Sequence, residues 1–282
     1  MRRLGVHTSI AGGLHLSLER ARALRCGTMQ IFSHNPRGWA VKPVPEAEII
    51  RFKTLRAAVN ISPVFIHTSY LINIASADEA LCRKSVGMLA AEMDRADQIG
   101  AEYVVLHTGS ASGDDLRAAR NRAVTALNEV ADIGRWRAGL LLENTAGKRG
   151  DISSSVQELS GIMNGVAGPL IAGICIDTCH AFAAGYDIRD SEGIRSLSEE
   201  IQEYAGADKV KLIHLNDSRG DLGSHTDRHE HIGLGKIGSK ALHRIVRCRM
   251  FRDVPLILET PKKKESDDPA NLRKVRMMIM KR

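Results

Sequence analysis

Eight short apolar runs, each closed by a polar side chain, are the feature that most restricts the fold of this sequence. They lie roughly 25 to 45 residues apart, about the length of one strand and one helix. The runs do not alternate with polar residues, as expected for parallel strands buried on both faces. They are RLGVH to His7, TMQIFSH to Ser33 and His34, PVFIH to His67, YVVLH to His107, GLLLEN to Glu143, GICIDTCH to Asp177, VKLIHLND to His214 and VPLILET to Glu259.

Amphipathic helical patterns separate these runs. One pattern, DLRAARNRAVTALNEVADIG, has Asp114 or Asp115 as its predicted N-cap and ends at Gly134. A second pattern ends at Gly100. Eight strand–helix units predict an α/β protein with a (β/α)8 TIM barrel, residues 1–282 forming one domain; a doubly wound sheet is the alternative. The helix of the first pattern should bury one face, formed by Leu116, Ala119, Ala123, Leu127 and Val130.

Composition limits the class of protein. The formal net charge of +7 favours a polyanionic partner such as nucleic acid, although a merely soluble basic protein has the same balance. No apolar stretch approaches the roughly 18 residues that span a membrane, and MRRLGVHTSIAGG lacks a secretory pattern, so we expect a cytoplasmic protein. The five cysteines are scattered, which argues against disulfides; Cys175 and Cys179 are predicted to be buried apolar residues.

Metal-binding side chains close six consecutive runs. A TIM barrel places its chemistry at the C-terminal ends of its strands, so these side chains should meet at one mouth. Carboxylates gathered there would repel one another unless cations lay between them. The mixture of imidazoles and carboxylates favours zinc or manganese. The six residues are His67, His107, Glu143, Asp177, His214 and Glu259.

Two further clusters extend this predicted site. In IDTCHAFAAGYD, His180 follows Asp177 by three residues, so both leave the same strand end. In LGSHTDRHEHIGLGKIG, one residue separates Asp227 from His229, and a locally extended chain would place both side chains on one side.

The sequence resembles the endonuclease IV family of abasic-site DNA repair enzymes. The resemblance rests on HTSYLINIAS, VVLHTGS, LLLENTAG, CIDTCHAFAAGYD, HLNDSRGDLGSHTDRHEHIGLGKIG and ILETP, which together extend over essentially the whole chain. It implies a (β/α)8 fold that holds three zinc ions. The implied ligands are His67, His107 and Glu143 for one ion, Glu143, Asp177, His214 and Glu259 for the second, and His180, Asp227 and His229 for the third.

The resemblance also implies a reaction and a partner. The expected reaction is hydrolysis of duplex DNA 5′ to an abasic site, giving a 3′-hydroxyl and a 5′-deoxyribose phosphate, together with trimming of blocked 3′ ends. Glu143 and Glu259 are the expected catalytic carboxylates, with Glu259 orienting the nucleophile. Arg37, Tyr70 and Leu71 match the positions that enter the bent DNA, and one barrel can form a complete site, so we expect a monomer.

Two other functions compete with this one. A metal-dependent sugar isomerase or epimerase would need a set such as Glu143, Asp177, His214 and Glu259, but not the remaining ligands. A lesion-binding protein without activity would keep the fold and the binding surface. Several residues remain outside the predicted metal set: His7 and His34 at strand ends, Lys262, Lys263 and Lys264 as candidate phosphate contacts, and His15 and His243 as predicted surface residues.

Overall fold

The computed structural model describes residues 2–111, 113 and 115–280. Over that part of the chain, eight parallel strands form one sheet and two short antiparallel strands form a hairpin beside it. The predicted (β/α)8 barrel is confirmed. In chain order the strands are β1 Leu4–Val6, β2 Met29–Phe32, β3 Val64–His67, β4 Tyr103–His107, β5 Gly139–Glu143, β6 Ile171–Asp177, β7 Val210–His214, the hairpin strands β8 Asp217–Ser218 and β9 His229–Glu230, and β10 Leu256–Leu258.

The meeting of β1 with β2 distinguishes a barrel from a doubly wound sheet. The sheet order is β1-β10-β7-β6-β5-β4-β3-β2, and a parallel bridge between His7 and Gln30 joins its two ends. A Cβ atom on Gly5 would lie 1.9 Å from the carbonyl oxygen of Thr28. Only glycine therefore allows β1 to approach β2 closely enough for this closure.

Helices follow the strands and cover the outside of the barrel. One helix ends where the sequence predicts, at Gly100 in the left-handed region with φ of 76°, and the structure shows Asp78 as the cap at its start. The helices are α1 Leu14–Ala23, α2 Glu46–Ala58, α3 Glu79–Ile99, α4 Leu116–Ile133, α5 Val156–Gly165, α6 Thr178–Ala184, α7 Ser191–Tyr204, α8 Gly238–Arg247 and α9 Asp267–Met280.

Helix α4 agrees with its prediction except for the burial of Leu116. Asp115 is the N-cap and accepts a hydrogen bond from the amide of Ala118 at 2.8 Å, whereas Asp114 lies outside the described residues. Leu116 is 39% exposed because it occupies the first turn, while the rest of the predicted face is buried. Gly134 follows the helix in extended backbone, with φ of −153°, so it ends α4 without a left-handed turn.

The apolar core has two layers. The larger layer lies between the strands and the helices. The smaller one fills the barrel and takes one residue from each of six strands: Phe65, Val105, Leu141, Cys175, Leu212 and Ile257. Side chains two positions apart point to the same face of a strand, so the residue two positions further on each strand lies above this inner layer, at the barrel mouth.

Two observations complete the fold. In the described part of the chain, none of the helices combines the length and the apolar composition needed to cross a membrane. The prediction that His15 is a surface residue is wrong, because His15 is buried at the start of α1 with Nδ1 2.7 Å from Glu48 Oε1. This contact joins α1 to α2, and nothing in the local sequence of His15 indicates it.

Candidate metal centre

The six predicted strand-end ligands all lie at the barrel mouth. Each follows an inner-layer residue by two positions, as His67 follows Phe65 and Glu143 follows Leu141. Alternation along the strands therefore projects all of them inward. Buried positions hold His67, Glu143, Asp177 and His214, while His107 and Glu259 retain some exposure at the cleft.

The first group of donor atoms, called the His67 set, consists of His67, His107 and Glu143. Glu143 Oε2 lies 3.4 Å from His67 Nε2 and 3.1 Å from His107 Nε2. This oxygen is buried and, among the described residues, accepts no hydrogen bond. A buried carboxylate oxygen without a donor is costly, and a cation between these three atoms would remove that cost.

The second group, the Glu259 set, consists of Glu143, Asp177, His214 and Glu259. His214 Nδ1 lies 2.9 Å from Glu143 Oε1, 3.2 Å from Glu259 Oε2 and 3.9 Å from Asp177 Oδ2. Glu143 thus presents Oε2 to the His67 set and Oε1 to the Glu259 set. One carboxylate joins the two groups.

The third group, the His229 set, consists of His180, Asp227 and His229. Asp227 Oδ1 lies 3.2 Å from His180 Nε2 and 3.6 Å from His229 Nε2. Asp177 caps α6 by accepting a hydrogen bond from the amide of His180 at 2.8 Å, which fixes His180 beside the strand end. Ser218 in β8 pairs with His229 in β9, and this hairpin returns the long loop to the mouth.

The imidazole orientations indicate metal ligation. His67, His180 and His229 each place Nδ1 2.9 to 3.0 Å from a backbone carbonyl oxygen, to which Nδ1–H donates. Their unprotonated Nε2 atoms then face carboxylate oxygens, and two lone pairs repel unless a proton or a metal ion lies between them. Ring centroids of successive histidines are only 5.2 to 5.6 Å apart, so protonating all of them would crowd positive charges together. A metal ion between each Nε2 atom and its carboxylate oxygen would remove the repulsion in every pair. Histidines that bind metal ions characteristically donate their other N–H in this way.

The donor spacings suit a small tetrahedral ion. Two ligand atoms at about 2.1 Å from a tetrahedral zinc ion lie about 3.4 Å apart. The nitrogen–oxygen distances within the three sets run from 2.9 to 3.9 Å. The residues therefore fit zinc in both donor chemistry and spacing.

The electrostatics of the site also favour cations. Burial opposes charge on Glu143, but the neighbouring His214 and His107 outweigh it and hold the pKa of this carboxyl well below its ordinary value. Burial likewise opposes protonation of His180 and His214, but nearby acidic groups, notably Asp177 for His180, raise the pKa of both imidazoles well above the usual range. The cluster thus attracts positive charge into a buried position.

The two neighbouring cysteines are poor ligands. Cys175 lies beside Glu143 and His214, and Cys179 lies beside Asp177 and His229. Burial raises the pKa of each thiol to about 12. Because the thiolate is the metal-binding form, both side chains act as buried apolar residues, as the sequence predicts.

A cleft of about 850 Å³ opens above the metal-binding residues. Tyr70 stands at its rim with 64% of its surface exposed, and its ring meets Phe32 edge-on at 5.1 Å. Arg37 is also exposed and Leu71 is half-buried in the neighbouring loops. Lys262 lines the cleft, whereas the backbone amides of Lys263 and Lys264 donate hydrogen bonds to Asp267.

A buried glutamate holds together the two loops that carry Arg37 and Tyr70. Glu92, on α3, accepts hydrogen bonds from Ser33 Oγ at 2.6 Å and from the amide of Ser69 at 3.1 Å. Burial raises the pKa of Glu92 to about 7, against the effect of both hydrogen bonds. The same loops are joined directly, because the amide of Tyr70 donates to the carbonyl of Pro36 at 3.2 Å.

Sequence reasoning missed three amide side chains that contact the predicted ligands. Asn144 accepts from the amide of Asp177 at 2.7 Å, and Asn216 donates to Asp177 Oδ2 at 2.6 Å. Asn144 directly follows a ligand in the sequence and Asn216 lies two positions after one, which was an available signal. Gln30 contacts His214 and Glu259, and its only signal was a polar residue inside an apolar run.

Comparison with known proteins agrees with this arrangement. The family model described as xylose isomerase-like TIM barrel matches residues 18–281. A protein of Methanoculleus marisnigri named probable endonuclease 4 is 43% identical over 274 residues, 97% of each chain. The crystal structure of endonuclease IV from Thermus thermophilus is 37% identical, covers 98% of both chains and superposes with a TM-score of 0.87.

A more distant structure shares only the fold. A D-tagatose 3-epimerase-like protein is 19% identical, with a TM-score of 0.76, and covers 98% of this chain and 97% of its own. The endonuclease relatives differ from this structure because they are 43% and 37% identical to the chain over nearly its full length. The chain belongs to the endonuclease IV family of xylose isomerase-like TIM barrels.

Proposed function

We propose that this protein is a DNA repair endonuclease that hydrolyses the phosphodiester 5′ to abasic sites in duplex DNA. The products are a 3′-hydroxyl and a 5′-deoxyribose phosphate, and the same site trims blocked 3′ ends. The supporting observation is the arrangement of the three donor sets: Glu143 joins two of them, and residues from all three line one open cleft. A bound phosphodiester can reach all three sets from this cleft.

Each donor set would hold one zinc ion. The His67 set and the Glu259 set would share Glu143, and the His229 set would hold the third ion. When bound, zinc supplies positive charge to phosphate oxygens and makes water acidic enough to act as a nucleophile at neutral pH. The three ions thereby suit an anionic substrate that resists attack by water.

The two carboxylates proposed as catalytic differ in burial. Glu143 is fully buried and holds the two neighbouring sets in register. Glu259 retains 17% side-chain exposure and lines the cleft, so it can accept a hydrogen bond from the attacking water and orient it toward phosphorus. Its backbone carbonyl also positions His229, which couples the Glu259 set to the His229 set.

DNA recognition belongs to the two loops above the cleft. Arg37, Tyr70 and Leu71 enter the bent DNA and fill the gap left by the missing base. An inserted side chain offsets the lost base stacking, and a nucleotide without a base costs less to extrude. The overall charge of +7 adds attraction for the phosphate backbone.

Sugar epimerisation is the principal alternative. An epimerase would use the Glu259 set alone and would not need the His67 set or the His229 set. A binding protein without activity is the other alternative, and the intact donor sets argue against it. Metal content separates the nuclease from the epimerase: about three zinc ions per chain favour the nuclease, and one or two favour the epimerase.

The deciding assay uses an end-labelled duplex with one tetrahydrofuran abasic analogue. We expect a single cut 5′ to the analogue, no cut in an undamaged duplex, and loss of cutting in His107→Ala. The analogue cannot undergo β-elimination, so a cut demonstrates hydrolysis. Binding without cutting by zinc-loaded protein would favour the lesion binder, and neither binding nor cutting would favour the sugar enzyme.

A further inference from the structure

Gln30 is a fully buried polar residue in the inner layer of the barrel. In the β2–β3 register it pairs with Phe65, one of the apolar residues that form this layer. Glutamine is rarely buried without a polar partner, and its amide here has several. Its Oε1 lies 2.8 Å from His214 Nε2, and its Nε2 lies 2.7 Å from Glu259 Oε1 and 3.0 Å from His7 Nδ1.

The contacts fix which way the amide points. The Glu259 carboxylate only accepts hydrogen bonds, so it must face the NH2 group of Gln30. Oε1 then faces His214, whose Nε2 must carry the hydrogen. This leaves the lone pair of His214 on Nδ1, directed at the oxygens of Glu143 and Glu259.

His214 differs in this respect from the other oriented histidines. The Nδ1–H groups of His67, His180 and His229 donate to backbone carbonyls, which the fold itself holds in place. The tautomer of His214 instead depends on a side chain from another strand. A substitution at Gln30 therefore removes the acceptor without disturbing the backbone at the site.

We propose that Gln30 is a positioning residue that sets the His214 tautomer and the orientation of Glu259 for the metal ion of the Glu259 set. This inference rests on the metal centre of the proposed function. Partners that orient a metal ligand typically contribute about 10- to 100-fold to metal affinity. Gln30 should therefore act on one of the three ions and leave the other two unchanged.

The test measures zinc release from the fully loaded protein as a chelating dye, 4-(2-pyridylazo)resorcinol, is added. Gln30→Met keeps the length of the side chain but lacks the hydrogen bonds to His214, Glu259 and His7. We expect one of three zinc ions to bind roughly 10- to 100-fold more weakly in this variant. Gln30→Glu retains an oxygen that can accept from His214 Nε2 but loses the NH2 group that holds Glu259, so we expect it to release the same single ion more readily than the unaltered protein.

Thr28→Val is the matched control. Thr28 lies two residues earlier in the chain, and its hydroxyl donates to the carbonyl of Pro63 within the same part of the barrel. We expect normal zinc release from this variant. The proposal is overturned if Gln30→Met releases zinc normally, if Gln30→Met weakens all three ions equally, or if Thr28→Val reproduces the loss.

A second readout follows the tautomer directly. Imidazole ¹⁵N and ¹H shifts of the zinc-loaded protein should show a hydrogen-bonded N–H at His214 Nε2, and this hydrogen bond should be lost in Gln30→Met. An unchanged His214 Nε2–H signal would overturn the proposal. Failure of the unaltered protein to bind three zinc ions would instead count against the proposed function, so the two failures are distinguishable.

Discussion

At the scale of single residues, Glu143 occupies the central position. Its two oxygens face different donor sets, and no other side chain in the described part of the chain joins those two sets. Its complete burial means that its charge must be balanced locally. The two sets are thus coupled through this carboxylate, and replacing it should empty both.

Glu143→Gln tests this coupling. The amide keeps the shape of the side chain but replaces one ligand oxygen with an NH2 group, so we expect about one zinc ion per chain instead of about three, and a loss of incision of at least about 1,000-fold. Zinc content is measured by mass spectrometry. Glu129→Gln, at an exposed position on α4, is the control and should retain both zinc and activity. Normal zinc content in Glu143→Gln would contradict the bridging role.

Tyr70 is the residue that tests DNA insertion. Tyr70→Ala should lower kcat/KM for the abasic duplex by roughly 10- to 100-fold, because a stacking side chain is worth about 1 to 3 kcal/mol. Incision is compared with that of Tyr204→Ala, which removes a partly exposed tyrosine from α7. Equal activity of the two variants would show that Tyr70 does not enter the DNA.

The sequence allowed the positions of residues to be predicted where local pattern determines them, but not where long-range contacts do. The six strand-end side chains could be placed at the barrel mouth because each closes an apolar run, and alternation along the strand then directs it inward. Gln30 acts on side chains from β7 and from the end of β10, more than 180 positions away in sequence, and His15 finds Glu48 on the next helix. Such partners become visible only when the barrel brings the strands and helices together.

At the scale of secondary-structure elements, Glu92 connects α3 to the two loops that we propose to bind DNA. From α3 it holds the loop after β2 through Ser33 and the loop after β3 through Ser69. Arg95, one turn further along, donates to the carbonyls of Ser33 and Lys42. The loops that carry Arg37 and Tyr70 are thus fastened to a buried part of the barrel.

Glu92→Ala should loosen both loops. We expect KM for abasic DNA to rise roughly tenfold, with a smaller change in kcat, since two buried hydrogen bonds to a carboxyl group are lost away from the metal sets. Glu102→Ala is the control: Glu102 also accepts from a backbone amide, that of Val64, but at the opposite end of the barrel, where β3 begins. If both variants change KM equally, the effect is one of general stability.

The start of α5 provides a pH-dependent test of the fold. Ser155 and Glu158 form a capping box, and Arg120 Nη1 lies 2.6 Å from Glu158 Oε1. Burial alone would raise the pKa of Glu158, but hydrogen bonds from Ser155, Ser154 and Arg120 outweigh it and lower the pKa below the ordinary value of 4.5. The stabilisation is therefore fully present above pH 4.5 and is lost as the pH falls through the lowered value.

Glu158→Gln should reduce the free energy of unfolding by about 1 kcal/mol at about pH 7. The difference from the unaltered protein should shrink as the pH falls below 4.5. Urea unfolding of metal-free protein measures it, so that release of zinc does not contribute. Glu203→Gln, at an exposed position, should show no such trend. A difference that is constant with pH would contradict the role of the Glu158 charge.

At the scale of the whole molecule, the barrel explains why residues far apart in sequence form one site. Parallel strands present their C-terminal ends at one mouth, and the inner apolar layer supports the ligands from below. The β8–β9 hairpin adds Asp227 and His229, which no strand of the barrel could supply. Three adjacent donor sets below an open cleft are thus a consequence of topology.

The measurement that tests this account most directly is anomalous diffraction from crystals of the zinc-loaded protein, recorded on both sides of the zinc absorption edge. We expect three zinc peaks, one within each donor set, with Glu143 between the first two. A single peak confined to the Glu259 set would contradict the account and indicate the one-metal chemistry of a sugar epimerase.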